Sequence, residues 1–236
     1  MHRFFVPPGS LHADRVTLTG AQARQIATVL RLRVGDEIAL VADGAEAVVR
    51  LESVKPSSVD AVVRERGFAA AEPTLSLTLA LPILRGDRDE EVVEAVTQLG
   101  VSRIVPFTSA RSVVRSLSEA KRARWDRIAR EAAETARRGR VPPIERALSW
   151  QELFGALASP VFVAWEGERR VRLRDALPQS ARAVSLVIGP EGGIADDEIA
   201  LARARGAVTV SLGARNLRSE TAAIAAVVLV MDRLQG

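Results

Sequence analysis

Two stretches near the end of the chain combine residue types that could hold a flat or anionic ligand and stabilise charge developing beside it. The first is Gly189-Pro190-Glu191-Gly192-Gly193, which follows the apolar run Ala183-Val184-Ser185-Leu186-Val187-Ile188. The second begins at Leu212-Gly213, after another apolar run, and continues through Asn216-Leu217-Arg218-Ser219-Glu220-Thr221-Ala222. A glycine at a strand end carries no Cβ, so a ligand can come up against backbone N–H and C=O groups. Arg218 offers a permanently charged fork of donors. Beside a substrate, it would stabilise an anion formed by loss of a proton. Glu220 is suited equally to orienting Arg218, to accepting that proton, or to compensating the first turn of a helix capped by Ser219. No Lys-Ser/Thr pair follows the glycines, and Gly-x-x-Gly-Gly is not Gly-x-Gly-x-x-Gly, so neither a nucleoside triphosphate nor a dinucleotide is indicated.

Composition narrows the chemistry. The 236 residues include no cysteine, which removes disulfides, thiolate metal sites and cysteine nucleophiles. The only histidines are His2 and His12, so the glycine stretches have no nearby histidine base and no histidine metal cluster. Lys+Arg number 33 against 29 Asp+Glu, a net +4 carried almost entirely by arginine, which suits an anionic partner. The N-terminus lacks the basic stretch and apolar core of a secretory signal. No apolar run approaches the roughly 20 residues that cross a bilayer. These features describe a cytoplasmic protein with neither a membrane nor a metal among its partners.

The elements that must position the two stretches can be read from periodicity. Strands over 183–188 and 207–212 each end at a glycine and are separated by a helix over 195–205. A final helix follows, apolar at every position from 222 to 231 and therefore expected to be buried. Upstream, strand 75–84, helix 87–99, strand 103–107, helix 119–138 and strand 161–164 alternate, the pattern of a parallel α/β sheet. Ligands of such sheets sit beyond the carboxyl ends of the strands, where both glycine stretches fall. Residues 1–68 read differently, as short strands at 16–18, 37–41, 47–51 and 59–63 with one helix over 21–30, the pattern of a small barrel. Ala69-Ala70-Ala71-Glu72-Pro73 reads as a linker, dividing the chain into domains at 1–70 and 75–236.

Charge is concentrated between Lys121 and Arg140, where eight bases face three acids. Trp125, Ile128, Ala129, Ala132 and Ala133 recur at helical spacing and supply a packing face. On the other face, a solvated surface with i,i+4 pairs such as Arg127 with Glu131 and an RNA-facing surface are equally open readings. Arg137, Arg138 and Arg140 surround a glycine at the helix end with no acid among them, a pattern suited to phosphate contacts. Arg111 and Arg115 lie just upstream. There is no tyrosine, and the six Phe and three Trp fall mostly in apolar runs, so no platform for stacking bases is visible.

Taken in order and spacing, Leu186-Val187-Ile188-Gly189-Pro190-Glu191-Gly192-Gly193, Ser211-Leu212-Gly213 and Leu217-Arg218-Ser219-Glu220-Thr221-Ala222 resemble the bacterial 16S ribosomal RNA (uracil-N3)-methyltransferases of the SPOUT superfamily. The resemblance implies a PUA-like RNA-binding barrel, where Val29-Leu30-Arg31-Leu32-Arg33-Val34-Gly35-Asp36 matches a recurrent stretch. It also implies a C-terminal SPOUT α/β domain with a deep trefoil knot, and a homodimer. The implied cofactor is S-adenosylmethionine, held by Ile188, Gly189, Pro190, Glu191, Gly192, Gly193, Leu212, Gly213, Leu217, Ser219, Thr221 and Ala222. Glu191 either binds a ribose hydroxyl or supports its loop. Arg218 and Glu220 become the catalytic pair, and Arg3, Arg31, Arg33, Arg111, Arg115, Arg137, Arg138 and Arg140 the contacts to 16S rRNA or the assembled small subunit. The lack of cysteine disfavours methylation at C5 of a pyrimidine, which leaves ring nitrogens and ribose oxygens as acceptors. Gln25, Arg88, Glu94, Ala95, Gln98 and Thr135 depart from the family's pattern, most of them on the expected substrate side. A relative acting on another RNA position or a ribose 2′-hydroxyl, and a non-catalytic ribosome-assembly factor, are the alternative readings.

Overall fold

The computed structural model describes residues 1–69 and 72–235. It packs as two units, Met1–Glu72 with Ala133–Arg140, and Pro73–Ala132 with Val141–Gly236. Ala70 and Ala71 of the expected linker lie outside the described residues.

In the first unit, β1 (Arg3–Phe5), β2 (Arg15–Thr19), β3 (Glu37–Ala42), β4 (Ala45–Lys55) and β5 (Ser58–Phe68) form one sheet in the order β1-β3-β4-β5-β2. β1 runs parallel to β3 and the remaining pairs are antiparallel. The ladder ends at β1 and β2, so the sheet is not closed into a barrel by their pairing. It folds instead around a core that includes Phe4, Leu18, Ile38, Leu40, Val49, Leu51 and Val59. Residues 47, 49 and 51 alternate into that core, as a half-buried strand requires. Strands β4 and β5 run beyond the expected 47–51 and 59–63, and their pairing shifts register at Val48/Val49 and Leu51/Ser53. Such bulges bend a long hairpin around a core. The expected helix over 21–30 is half α-helix, α1 (Gly20–Arg24), and half π-turn (Gln25–Val29). There the Leu30 N–H donates to the Gln25 carbonyl.

The second unit holds β6 (Ser76–Pro82), α2 (Arg88–Gln98), β7 (Arg103–Thr108), most of α3 (Glu119–Thr135), β8 (Leu148–Ser149), α4 (Trp150–Ala156), β9 (Val161–Ala164), α5 (Leu173–Ala176), β10 (Ala183–Ile188), α6 (Asp196–Ala204), β11 (Val208–Val210) and α7 (Ser219–Gln235). Its six strands are all parallel, in the order β11-β9-β10-β6-β7-β8. Leu77, Leu79, Leu81, Val184, Leu186 and Ile188 point to one face, covered by α2, α3 and α7. Ala80, Val105, Val163 and Val187 point to the other, covered by α4 and α6. A two-sided burial of this kind makes each central strand a continuous apolar run. The expectation that the last helix is buried holds for one side only. Ala223, Ala226, Val227 and Val230 are buried, whereas Val228 is 43 % exposed. A single helix laid on a sheet can bury no more than one stripe, whatever its composition.

Candidate functional site

The loops that leave the carboxyl ends of β9, β10 and β11 meet around one cavity of about 760 Å³. From the β10 loop it is lined by Ile188, Gly189, Pro190, Glu191, Gly192 and Gly193, and from the β11 loop by Ser211 through Ser219 and then Ala222. Nearly all the residues expected to hold a cofactor therefore converge. Thr221 and Glu220 do not line the cavity. Thr221 is exposed, while Ala222, the next residue of α7, is half-buried and lines the cavity. One carboxylate oxygen of Glu220, Oε2, is buried without a hydrogen-bond partner among the described residues. Among the described residues, no ion pair joins Glu220 to Arg218. Arg218 is exposed, lines the cavity and makes no ion pair among the described residues.

The loop after β9 joins the site without being among the residues expected from sequence. It contributes Ala164, Trp165, Glu166 and Arg169 to the cavity. Its available signal was a predicted strand ending shortly before Gly167, the same cue that marked the other two loops. Glu168 shapes it by accepting from the backbone N–H groups of Arg170 and Val171 and from the Thr209 hydroxyl. The Arg170 N–H, followed by Thr209, holds the Glu168 carboxyl below its ordinary range.

Contacts at four positions fix the geometry of the glycine loop. The Ser219 hydroxyl donates to the Gly189 carbonyl at 2.7 Å and ties the start of α7 to it. Ser219 is therefore a clamp between loops and not the expected N-cap. It is already the first residue of α7, where its hydroxyl is drawn to an acceptor from another segment. Glu191 accepts from the Arg85 N–H at 3.1 Å and lies 3.9 Å from the Arg88 guanidinium, which makes it a support of its loop. Gly192 packs against the segment after β7: a Cβ there would stand 2.7 Å from the Arg111 carbonyl oxygen. At Gly193, with φ +73°, it would collide with the Glu166 carboxylate. Only glycine satisfies both positions.

Beneath Arg85 and Arg88 lies a fully buried carboxylate. Asp89 accepts from the Leu84 N–H at 3.1 Å and from Lys121 at 2.6 Å. Lys121 also donates to the Leu84 and Gly86 carbonyls, so one ammonium closes the 84–86 turn. Burial pushes the Asp89 carboxyl above its ordinary value despite the pull of Lys121. Beside it, Arg124 pairs with Glu90 at 2.7 Å. Two bases of the cationic segment are thus engaged by the acidic first turn of α2.

The expected RNA contacts divide in the same way. Arg138 is 2 % exposed, and its guanidinium binds the Glu72 carboxylate at 3.0 and 3.2 Å. Glu72 also accepts from the Gly139 and Arg140 N–H groups. The assignment of Arg138 to a phosphate is overturned, because an acid 66 residues away supplies the partner that local sequence lacked. Arg3 is similarly taken up by both oxygens of Glu46. Arg115 donates to the Ser109 and Ala110 carbonyls and shapes its own loop. Arg31, Arg33, Arg111, Arg137 and Arg140 are exposed and make no ion pair among the described residues. Among those residues, no group of three or more His, Cys, Asp or Glu is placed to hold a metal ion, and no helix is long and apolar enough to cross a membrane.

A parallel sheet with a glycine-lined cavity at its carboxyl edge, walled in part by Arg169, Arg215 and Arg218, which make no ion pair among the described residues, is laid out as a ligand-binding α/β domain. Residues 71–231 match the RNA methyltransferase domain family. The chain is 31 % identical to ribosomal RNA small subunit methyltransferase E of Bacillus subtilis over 100 % of its own length and 99 % of the relative's. It is 35 % identical to the Synechocystis protein of the same name, over 94 % and 74 %. It belongs to this family of RNA methyltransferases. Among solved structures, ribosomal RNA small subunit methyltransferase E from Neisseria gonorrhoeae bound to S-adenosyl methionine superposes with a TM-score of 0.91 at 29 % identity, covering 99 % of this chain and 98 % of that one. A putative methyltransferase from Legionella pneumophila in complex with the same cofactor gives 0.88 at 28 % identity, covering 98 % and 96 %.

Proposed function

We propose that the protein transfers a methyl group from S-adenosylmethionine to N3 of a specific uridine in the 16S rRNA of the small ribosomal subunit. One observation carries this reading: three strand-end loops and Arg218 enclose a single cavity in a chain of the RNA methyltransferase family. The cavity suits the cofactor. Its volume is in the range of about 300–1,000 Å³ typical of small-molecule sites. Gly189, Gly192 and Gly193 let the loop pack closely against Ile194, Arg111 and Glu166, which fixes that wall of the cavity. When bound, S-adenosylmethionine supplies a methyl group already activated on a sulfonium. The chain's part is to align the acceptor and to favour loss of its proton. Uridine N3, between two carbonyls, becomes a delocalised anion on deprotonation, and Arg218 stands at the cavity wall as the group that stabilises it.

The same reading makes residues 1–70 a PUA-like RNA-binding domain and 75–236 a SPOUT domain. In the same reading the SPOUT domain carries a deep trefoil knot that includes segment 211–219, which is bonded to Val171, Leu173 and Gly189. The half-covered apolar side of α7, with Val228, supports a homodimer. The site of action is the cytoplasm, where small subunits assemble.

Primer extension along 16S rRNA tests the proposal, because an N3-methyl group blocks pairing and stops reverse transcriptase. The stop should vanish in a strain lacking the gene and return with an intact copy, but not with an Arg218→Ala copy. A stop that persists in the deletion strain would show that another enzyme makes the modification.

A further inference from the structure

The sequence showed no aromatic platform for a nucleotide base, yet the structure exposes one. Phe68, the last residue of β5, is 87 % exposed, the highest value among the exposed large apolar side chains. Single exposed apolar residues are ordinary on protein surfaces. What distinguishes Phe68 is the strap beside it. Phe68 pairs in register with Ala45. The next residue, Ala69, donates its N–H to the Gly44 carbonyl, and the Gly44 N–H donates to the Gly139 carbonyl. The segment 137–140 is thereby laid along the end of the β4–β5 hairpin. It fits so closely that a Cβ on Gly139 would stand 2.7 Å from the Ala69 Cβ. The Arg140 guanidinium reaches over Gly44, 3.7 Å from where a Cβ of that residue would lie.

Burial of Arg138 against Glu72 holds the strap down, and it displays its neighbours. Arg137, in the left-handed region at φ 57°, and Arg140 are both exposed and without an ion pair among the described residues. The acids around them are largely occupied: Glu72 by the strap itself and Glu46 by Arg3. Asp43 is the exposed carboxylate of the adjoining turn.

We infer that Phe68, Arg137 and Arg140 form a binding surface for a single-stranded RNA segment, with one unpaired base stacked on the Phe68 ring and its flanking phosphates on the two guanidinia. An aromatic ring supplies the face that any unstacked base can cover, and the cations fit its backbone. The inference rests on the reading of the protein as an RNA methyltransferase and adds to it where and how the RNA is gripped.

The test measures affinity of the full chain for a single-stranded oligonucleotide of 16S rRNA sequence, and for the same sequence held in a duplex, across a range of salt. Phe68→Ala should weaken single-strand binding by roughly ten-fold, within the range for loss of one stacked base. It should leave the salt dependence unchanged, and Phe68→Trp should restore affinity. Arg137→Gln and Arg140→Gln should each lower the salt slope by about 0.7. S-adenosylmethionine binding, unchanged in all four variants, reports that they fold. Full affinity in Phe68→Ala with weakened arginine variants would overturn the stacking surface while leaving RNA recognition standing. Unchanged RNA binding in all four would remove the surface altogether. A change confined to sedimentation of Phe68→Ala would assign the ring to a second copy of the chain and overturn the inference.

Discussion

The glycine loops and the arginine-rich segment were equally prominent in the sequence, but they met different fates on folding. Of the twelve residues assigned to cofactor binding, all but Thr221 line one cavity. Of the eight arginines assigned to RNA, Arg138 and Arg3 are spent on Glu72 and Glu46, and Arg115 on carbonyls of its own loop. The difference lies in the range of the forces. A glycine at a strand end answers to backbone geometry within a few residues. A cation answers to whichever carboxylate arrives, and that carboxylate can come from anywhere in the chain.

Replacing Arg218 bears hardest on the first half of this contrast. Arg218→Ala should lower methyl transfer by about 10²–10³-fold, the scale for loss of one donor to a developing oxyanion. Its effect on S-adenosylmethionine affinity should be small, since backbone groups hold the cofactor. Transfer of labelled methyl to small subunits, with calorimetry of cofactor binding, measures both. Equal loss of binding and transfer would make Arg218 part of the cofactor cradle.

The second half turns on Arg138. Arg138→Ala leaves Glu72 without its guanidinium and should destabilise the protein by about 3 kcal/mol, as when one member of a buried ion pair is removed. Arg137→Ala, at an exposed position, should change stability by less than about 0.5 kcal/mol. Chemical denaturation compares them. Similar values for the two would mean that the strap is held without the Glu72 pair.

The smallest effect concerns Asp89, where a charge was captured beside the glycine loop itself. Its folded-state pKa lies above the ordinary 3.8, with burial as the leading cause. The folded state therefore binds the proton more tightly than the unfolded state. The stability that Asp89 contributes is greatest at low pH and is lost as pH rises from 3.8 through the raised value. Asp89→Asn should remove this component, so the stability difference between wild type and variant should drift with pH across that window and level off above it. Denaturation curves at several pH values would show it; a drift of opposite sign would mean that Lys121 outweighs burial.

Several features were legible in advance for local reasons. Strands 161–164 and 183–188 appear as expected because an apolar run between turn signals has one way to be satisfied in a two-sided sheet. Helix α4 is marked just as locally: Ser149 and Glu152 form a reciprocal capping box, written in the sequence as Ser-x-x-Glu. The three-residue β1 carried no such signal, since its status as a strand depends on lying parallel to β3. The π-turn at Gln25–Val29 likewise follows from packing that propensity does not encode.

By itself, the sequence determined the parallel α/β plan, the two glycine-bearing strand ends, the position of Arg218 after the second, and the exclusion of cysteine chemistry. Each is a property of composition or of a few neighbouring residues. Tertiary structure alone decided that a third loop, 164–169, completes the cavity, that Ser219 clamps Gly189 instead of capping its helix, and which arginines remain free. Those outcomes depend on pairings across tens of residues, such as the 66 that separate Glu72 from Arg138. Only the folded chain brings such groups within the few ångströms over which a hydrogen bond acts.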